Sequence, residues 1–153
     1  MVIFMNTSTI LKEIREKNRL TQDEMAEKLF VTRQAVSRWE NDETIPNTEA
    51  LKLISKIFNI SINTLLGTPQ ILTCQCCGMP LNDDENISRE TDNTFNEEYC
   101  KWCYTGGEFV YKSLDELMNF LVPYISEMHK QNKAEIKAML EKQLPSLKRW
   151  KQV

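Results

Sequence analysis

Two pairs of cysteines, Cys74-x-x-Cys77 and Cys100-x-x-Cys103, constrain this chain more than any other feature. A two-residue spacer puts both sulfurs of a pair inside one tight turn, where they reach a single ion about 2.3 Å away. Gly78 follows the first pair, where the backbone has to turn sharply, and Gly106-Gly107 follows the second. The pairs are separated by 22 residues, 78–99, close to the spacing of zinc sites with four cysteine ligands. Four thiolates close a tetrahedral shell around Zn2+ and leave no open position, which describes a structural ion and not a catalytic one. Cys74, Cys77, Cys100 and Cys103 are the expected metal ligands and Zn2+ the expected cofactor. Cys76 is the odd thiol. Cys-x-Cys is the poorer ligand spacing, so Cys76 is read as a non-ligand, either a free reactive thiol beside the site or a small buried apolar residue. The single histidine, His129, stands in a later helical stretch and is read as an exposed helix residue.

The 153 residues hold one ordinary domain or two small ones. Neither half has the length for a generous core, which gives a metal staple a physical purpose. No apolar run approaches the roughly 20 residues needed to cross a bilayer. The apolar start, residues 1–5, has neither the basic flank nor the cleavage site of a signal sequence. A cytoplasmic location is expected, where thiols stay reduced and paired Cys-x-x-Cys motifs favour metal over disulfides. The net charge of −3 conceals a partition. Residues 1–69 carry nine basic and nine acidic side chains, residues 70–110 two and eight, and residues 111–153 eight and five. A neutral front half still binds DNA if its basic residues gather on one face. The acidic middle segment is unsuited to gripping phosphate.

Helical periodicity and caps organise the front half. Ile10, Leu11 and Ile14 mark the apolar face of a helix over 8–19. Thr21-Gln-Asp-Glu24 is a capping box that opens a short second helix with Met25, Ala26 and Leu29 inward. Phe30-Val31-Thr32 forms a turn, and Thr32 caps a third helix, Arg33 to Glu40, with Val36 and Trp39 on its inner face. Asn47 caps a fourth helix with a buried stripe of Leu51, Ile54, Ile57 and Phe58, and Ser61 caps a last short turn.

Five short helices with a three-residue turn between the second and third make a helix-turn-helix bundle. The stretch LTQDEMAEKLFVTRQAVSRWENDETIP resembles the lambda-repressor/Cro-like (XRE-type) family, and the resemblance extends over residues 8–66. It implies that the third helix enters the major groove while the second crosses the backbone. Arg33 then suits guanine and Gln34 adenine, each bidentately. Ser37 lies one turn further on, and Arg38 reaches a base or a phosphate. Gln22 matches the family's phosphate-clamping Gln, Asn41 donates to phosphate past the helix end, and Thr32 stands with them at the DNA-facing end. Phe30 departs from the pattern: the family has Gly there because the backbone turns with φ > 0. It is expected to pack against the neighbouring helix.

In the back half, residues 81–99 are rich in Asn and acidic residues and read as a loop between the cysteine pairs. Ser113-Leu-Asp-Glu116 is another capping box. Leu114, Leu117, Met118 and Leu121 follow helical spacing until Pro123 breaks or kinks the run. A last helix over 132–144 presents Ile136, Met139, Leu140 and Leu144. The segments CQCCGMPL, EEYCKWCYTGGEF, SLDELMNFLVPYI and LPSLKRWK resemble a family of zinc-ribbon domains over about residues 72–151. That family has a non-cysteine residue at the position of Cys76, and it implies fold and metal without an established activity.

The expected architecture is mainly α: a five-helix helix-turn-helix bundle over 6–67, a linker over 68–72, and a four-cysteine zinc ribbon with C-terminal helices over 73–153. The expected function is that of a sequence-specific transcriptional regulator, a homodimer on double-stranded operator DNA with no membrane partner. Two alternatives stay open: a DNA-tethered adaptor, antitoxin-like or recruiting a protein through its C-terminal half, and a thiol- or metal-responsive regulator. No phosphate-cradling Gly-rich loop, His-bearing catalytic constellation or open metal position points to an enzyme.

Overall fold

The computed structural model describes residues 5–67 and 70–151. The chain forms two compact units, Met1–Gln70 and Ile71–Val153. Residues 1–4 of the apolar start lie outside the described residues, as do Thr68 and Pro69 of the expected linker.

The first unit holds five helices: α1 (Thr7–Lys17), α2 (Gln22–Lys28), α3 (Arg33–Glu40), α4 (Thr48–Phe58) and α5 (Ile62–Leu65). Each begins where a short polar side chain satisfies an open backbone amide. Asn6, Thr21, Thr32, Asn47 and Ser61 accept from the amides of Thr9, Glu24, Ala35, Ala50 and Thr64. Thr21 and Glu24 close the capping box in both directions. The core is built from Leu11, Met25, Val36, Ile54 and Leu65, all fully buried, with Trp39 beside them. Ile57 of α4 departs from the expected stripe: it is exposed, and Ala50 and Ser55 are buried instead.

Phe30 takes φ 54°, the left-handed conformation expected for this turn. The expected packing is wrong, however, because the side chain is 87% exposed. The residue therefore carries the backbone cost of an L-side chain at positive φ with no burial to offset it. Phe30→Gly should raise the stability of this unit by roughly 0.5–1 kcal/mol, part of the relief being lost to the freer unfolded chain. The gain would appear as a higher urea midpoint at unchanged slope. A lower midpoint would mean that the ring makes a stabilising contact.

The second unit contains three two-stranded antiparallel hairpins: β1 (Leu72–Thr73) with β2 (Pro80–Leu81), β3 (Ile87–Arg89) with β4 (Phe95–Cys100), and β5 (Tyr104–Thr105) with β6 (Glu108–Phe109). Leu72, placed in the linker from sequence, belongs to β1. The β3–β4 pair corrects the expectation of a plain loop over 81–99. A register shift after Ile87 lets that residue face Cys100 while Arg89 faces Phe95. Gly106 and Gly107, both at positive φ, make the two-residue turn of the third hairpin.

Two helices follow, α6 (Leu114–His129) and α7 (Lys133–Gln143), and a 3-10 turn covers Leu144–Ser146. α6 runs through Pro123 without ending, so of the expected break or kink the break does not occur. Leu117, Met118, Ile136, Leu140 and Leu144 are buried and share one core with the cysteines. Met139, expected in that stripe, is exposed, and so is His129.

Candidate nucleic-acid interface and metal centre

The fold of the first unit sets out a polar face on α3. At about 100° per residue, Arg33, Gln34, Ser37, Arg38 and Asn41 span about 140° of the helix circumference. Val36 and Trp39 are buried on the opposite side. Arg33, Gln34, Arg38 and Asn41 are exposed and Ser37 is half-buried. Thr32 is exposed, and its hydroxyl is occupied by the cap, accepting from the Ala35 amide at 3.2 Å. Arg33 lies 3.6 Å from Asp23, an exposed pair that a phosphate or base can displace. The Asn41 amide donates weakly to the Ser37 hydroxyl at 3.4 Å.

A brace absent from the sequence expectation stands behind this face. The Glu40 carboxylate accepts from Arg15 Nε at 2.6 Å and Nη2 at 3.1 Å, and from Gln22 Nε2 at 3.0 Å. Arg15 also donates to the Leu20 carbonyl at 3.0 Å. The Glu40 side chain is 4% exposed and that of Arg15 15%. The hydrogen bond that the guanidinium donates to Glu40 holds its pKa above the ordinary value, against a smaller desolvation effect. One N–H of Gln22 is thereby fixed, and an amide has a second to offer a phosphate. A charged pair 25 residues apart gives no local signal, which is why the sequence did not show it.

In the second unit the four expected cysteines come together. Their sulfurs all lie within 4.8 Å of one another, and Cys77 and Cys100 are 3.8 Å apart. A tetrahedral ion with sulfurs at about 2.3 Å needs them about 3.8 Å apart, so the group fits a four-thiolate metal. Cys74, Cys100 and Cys103 are buried and Cys77 is half-buried. Gly78 at φ 79° turns the first knuckle, with its amide donating to the Cys74 carbonyl. The Cys100 amide donates to the Cys74 sulfur at 3.3 Å, the kind of contact that favours a thiolate.

As thiols, the four ionise unequally. Donation from Cys100 foremost pushes Cys74 well below the ordinary thiol range, and donation from Cys103 lowers Cys100. Cys77 and Cys103, bonded chiefly to Cys100, are pushed up. Cys76 stands outside the group and is fully buried, which selects the second of its two readings.

The first knuckle is also clamped by residues far along the chain. The Trp150 indole donates to the Cys76 carbonyl at 2.7 Å, and the Arg149 amide donates to the Gln75 carbonyl at 3.0 Å. The Lys148 ammonium pairs with Glu98, whose carbonyl accepts from the Gln75 amide. The Arg149 guanidinium lies 4.0 Å over the Phe109 ring. The sequence expectation had no role for Gln75, Lys148, Arg149 or Trp150. Their signal was the segments CQCCGMPL and LPSLKRWK, which carry the zinc-ribbon resemblance without giving these side chains a part.

Comparison with known proteins agrees with this division. A model described as "Putative zinc ribbon domain" matches residues 73–151, just over half of the chain, and a helix-turn-helix model matches residues 11–65. The HTH-type transcriptional activator BcrR of Enterococcus faecalis is 43% identical over 63 residues, 41% of this chain and 31% of BcrR. This chain thus matches about a third of the length of that relative. The HTH-type transcriptional regulator ImmR of Bacillus subtilis (strain 168) is 29% identical over 123 residues, 74% of this chain and 97% of ImmR. Among solved structures, the P22 c2 repressor in complex with a synthetic operator is 31% identical, covering 40% of this chain and 94% of that one at a TM-score of 0.39. Among the described residues no helix is long and apolar enough to cross a membrane. The chain belongs, through its C-terminal half, to the family described as "Putative zinc ribbon domain", and carries ahead of it a helix-turn-helix segment similar to those of the named transcriptional regulators.

Proposed function

We propose that the chain is a sequence-specific regulator that binds operator DNA through α3 as a homodimer, with Zn2+ held by Cys74, Cys77, Cys100 and Cys103 in a structural role. The observation that carries this reading is the polar face of α3, clear of the core and backed by the Arg15–Glu40–Gln22 brace. Arg33 and Gln34, at the helix start, would meet base edges. Arg38 and Asn41 lie nearer the helix end, and with Gln22 on α2 they would meet phosphates. The relatives named as transcriptional regulators support the same reading. The four-sulfur group supports zinc, because small four-cysteine sites on tight turns suit a tetrahedral ion without geometric demands of its own. No free ligand position would remain on it. The cytoplasm, with its reduced thiols, suits such a site.

The test is binding to duplex DNA from the protein's own upstream region against a scrambled duplex, by anisotropy at fixed salt. Gln34→Ala should cost about 1–3 kcal/mol on the preferred duplex and little on the scrambled one, relaxing specificity at one position. Asn41→Ala should weaken both about equally. If the intact chain shows no preference among duplexes, including a random pool, the operator reading fails and an adaptor role is favoured.

A further inference from the structure

The two cysteine knuckles are supported differently. The second is held by residues close to it in the chain: the Lys101 amide donates to the Asn86 carbonyl at 3.0 Å and the Val110 amide to the Cys103 carbonyl at 2.9 Å. The first depends on the far end of the described residues. Gln75 and Cys76 stand between its two cysteines, and both of their carbonyls accept from there, one from the Arg149 amide and one from the Trp150 indole. The Gln75 side chain is held as well, its Oε1 accepting from the Lys148 amide at 3.3 Å. Leu147 lies over the turn that follows, where a methyl added at Gly78 would meet its Cδ1 at 3.7 Å. Residues 147–151 are themselves closed into a turn, with the Trp150 and Lys151 amides both donating to the Leu147 carbonyl at 3.0 Å.

We propose that residues 147–151 are a strap that gates exchange of the metal ion, with Trp150 as the positioning residue that keeps the first knuckle in its ligating shape. The proposal deepens the four-thiolate zinc reading and rests on it. Trp150 has the leading part because of where its N–H ends. The Cys76 carbonyl, 2.7 Å from the indole nitrogen, shares one rigid peptide plane with the Cys77 amide. That amide turns toward the Cys74 sulfur and helps to lower its pKa. A chain of polarised bonds thus runs from the indole through one peptide group to a ligand sulfur, and each bond in such a chain strengthens the next. Cys77 is also the half-buried member of the group, whereas Cys74, Cys100 and Cys103 are buried. In a closed four-thiolate shell an incoming ligand has to displace one thiolate, and Cys77 is the one within its reach. The strap grips the peptide immediately before that corner. Without the grip the Gln75 and Cys76 carbonyls turn to water and the Cys77 sulfur is free to swing out.

Transfer of zinc from the loaded full chain to an excess of the chromophoric chelator pyridylazoresorcinol, followed by absorbance, tests this. Trp150→Phe removes the indole N–H and keeps a ring beside the Arg149 guanidinium, which lies 5.0 Å from the Trp150 ring. The variant should release zinc about 10-fold faster than the parent chain, the low end of what an outer contact of a metal site controls. Ile136→Val, a small cut in the same core, is the control for general loosening. It should release zinc at close to the parent rate even where its urea midpoint falls as far as that of Trp150→Phe. With Co2+ in place of zinc, the thiolate-to-metal charge-transfer band should shift in Trp150→Phe and stay in place in Ile136→Val. Release from Trp150→Phe no faster than from Ile136→Val overturns the gate, and an unmoved cobalt band overturns the positioning role. A parent chain that carries no zinc sinks the metal reading and the strap together. A zinc-loaded chain that fails the release comparison sinks the strap alone.

Discussion

Stripping metal from the full chain with a strong chelator should unfold the second unit and leave the first folded. Thermal unfolding of the metal-loaded chain should show the cooperative loss of both units. After chelation the contribution of α6, α7 and the hairpins should be gone, while the transition of α1–α5 stays where it was. The magnitude decides the outcome. Four-thiolate zinc contributes roughly 10–16 kcal/mol of apparent free energy at neutral pH, and a whole domain is stable by only about 5–15 kcal/mol. The buried cysteines share their core with Leu117, Ile136, Leu140 and Leu144, so the helices lose their support with the metal. Cys100→Ser should reproduce the effect, since Cys100 is buried and bonded to the Cys74 sulfur through its amide. Metal analysis should give one zinc per chain for the parent protein. A chelated chain that keeps both transitions at full height would show that the thiol cluster folds without an ion.

The second large effect is expected at Glu40. Glu40→Ala removes the acceptor for both Arg15 and Gln22 and leaves a guanidinium that is largely shielded from water with the Leu20 carbonyl and a longer, 3.8 Å contact to the exposed Glu16 carboxylate as its partners. Breaking a pair this enclosed costs about 3 kcal/mol, a large share of the stability of so small a unit. The loss would appear as a lower urea midpoint followed by fluorescence of Trp39, which sits in the same core. It should also weaken operator binding at concentrations where the variant is still folded, because Gln22 loses the contact that aims it. A double variant, Arg15→Met with Glu40→Leu, separates the two effects: it should recover stability, since no charge is left unpaired, but not DNA affinity. Equal midpoints for Glu40→Ala and the parent chain would show that the brace adds no net stability.

How much of this was legible in the sequence depends on the range of the interaction. The caps at Thr21, Thr32, Asn47, Ser61 and Ser113 were all readable, because a cap joins residues three apart and leaves its signature in adjacent letters. The four cysteines were readable because ligand spacing is itself short-range within each knuckle. The β3–β4 hairpin was not. β3 is only three residues, Ile-Ser-Arg, and β4 has Asn-Glu-Glu at its centre with no alternation, so local propensity gives their pairing no signal. Pro123 left a break and a kink both open, and the helix does not break there. Proline usually ends a helix by removing one backbone bond and crowding the preceding turn, but here Leu114, Leu117, Met118 and Leu121 hold the helix to its core ahead of it and Ile125 behind it. Phe30 misled in its packing. Backbone geometry was correctly expected from the turn, but nothing in the local letters says whether a large ring finds a neighbour. The Arg15–Glu40 brace and the Trp150 contact join residues 25 and 74 apart, beyond any pattern in a window of the chain.

The Trp150 contact has a consequence for how the protein is made. The first knuckle leaves the ribosome early, yet its clamp is among the last of the described residues to appear. At about 5–20 residues per second, the roughly 75 residues between them take about 4–15 s to synthesise. For those seconds α1–α5 can already be folded, while Cys74, Cys76 and Cys77 wait without the indole on the Cys76 carbonyl and without the complete helices that bury them, and for about the first third of that time without the second cysteine pair. The thiols that end up sealed in the core pass through their most vulnerable moment during translation, when an oxidant or a competing ion would meet them before their own partners do.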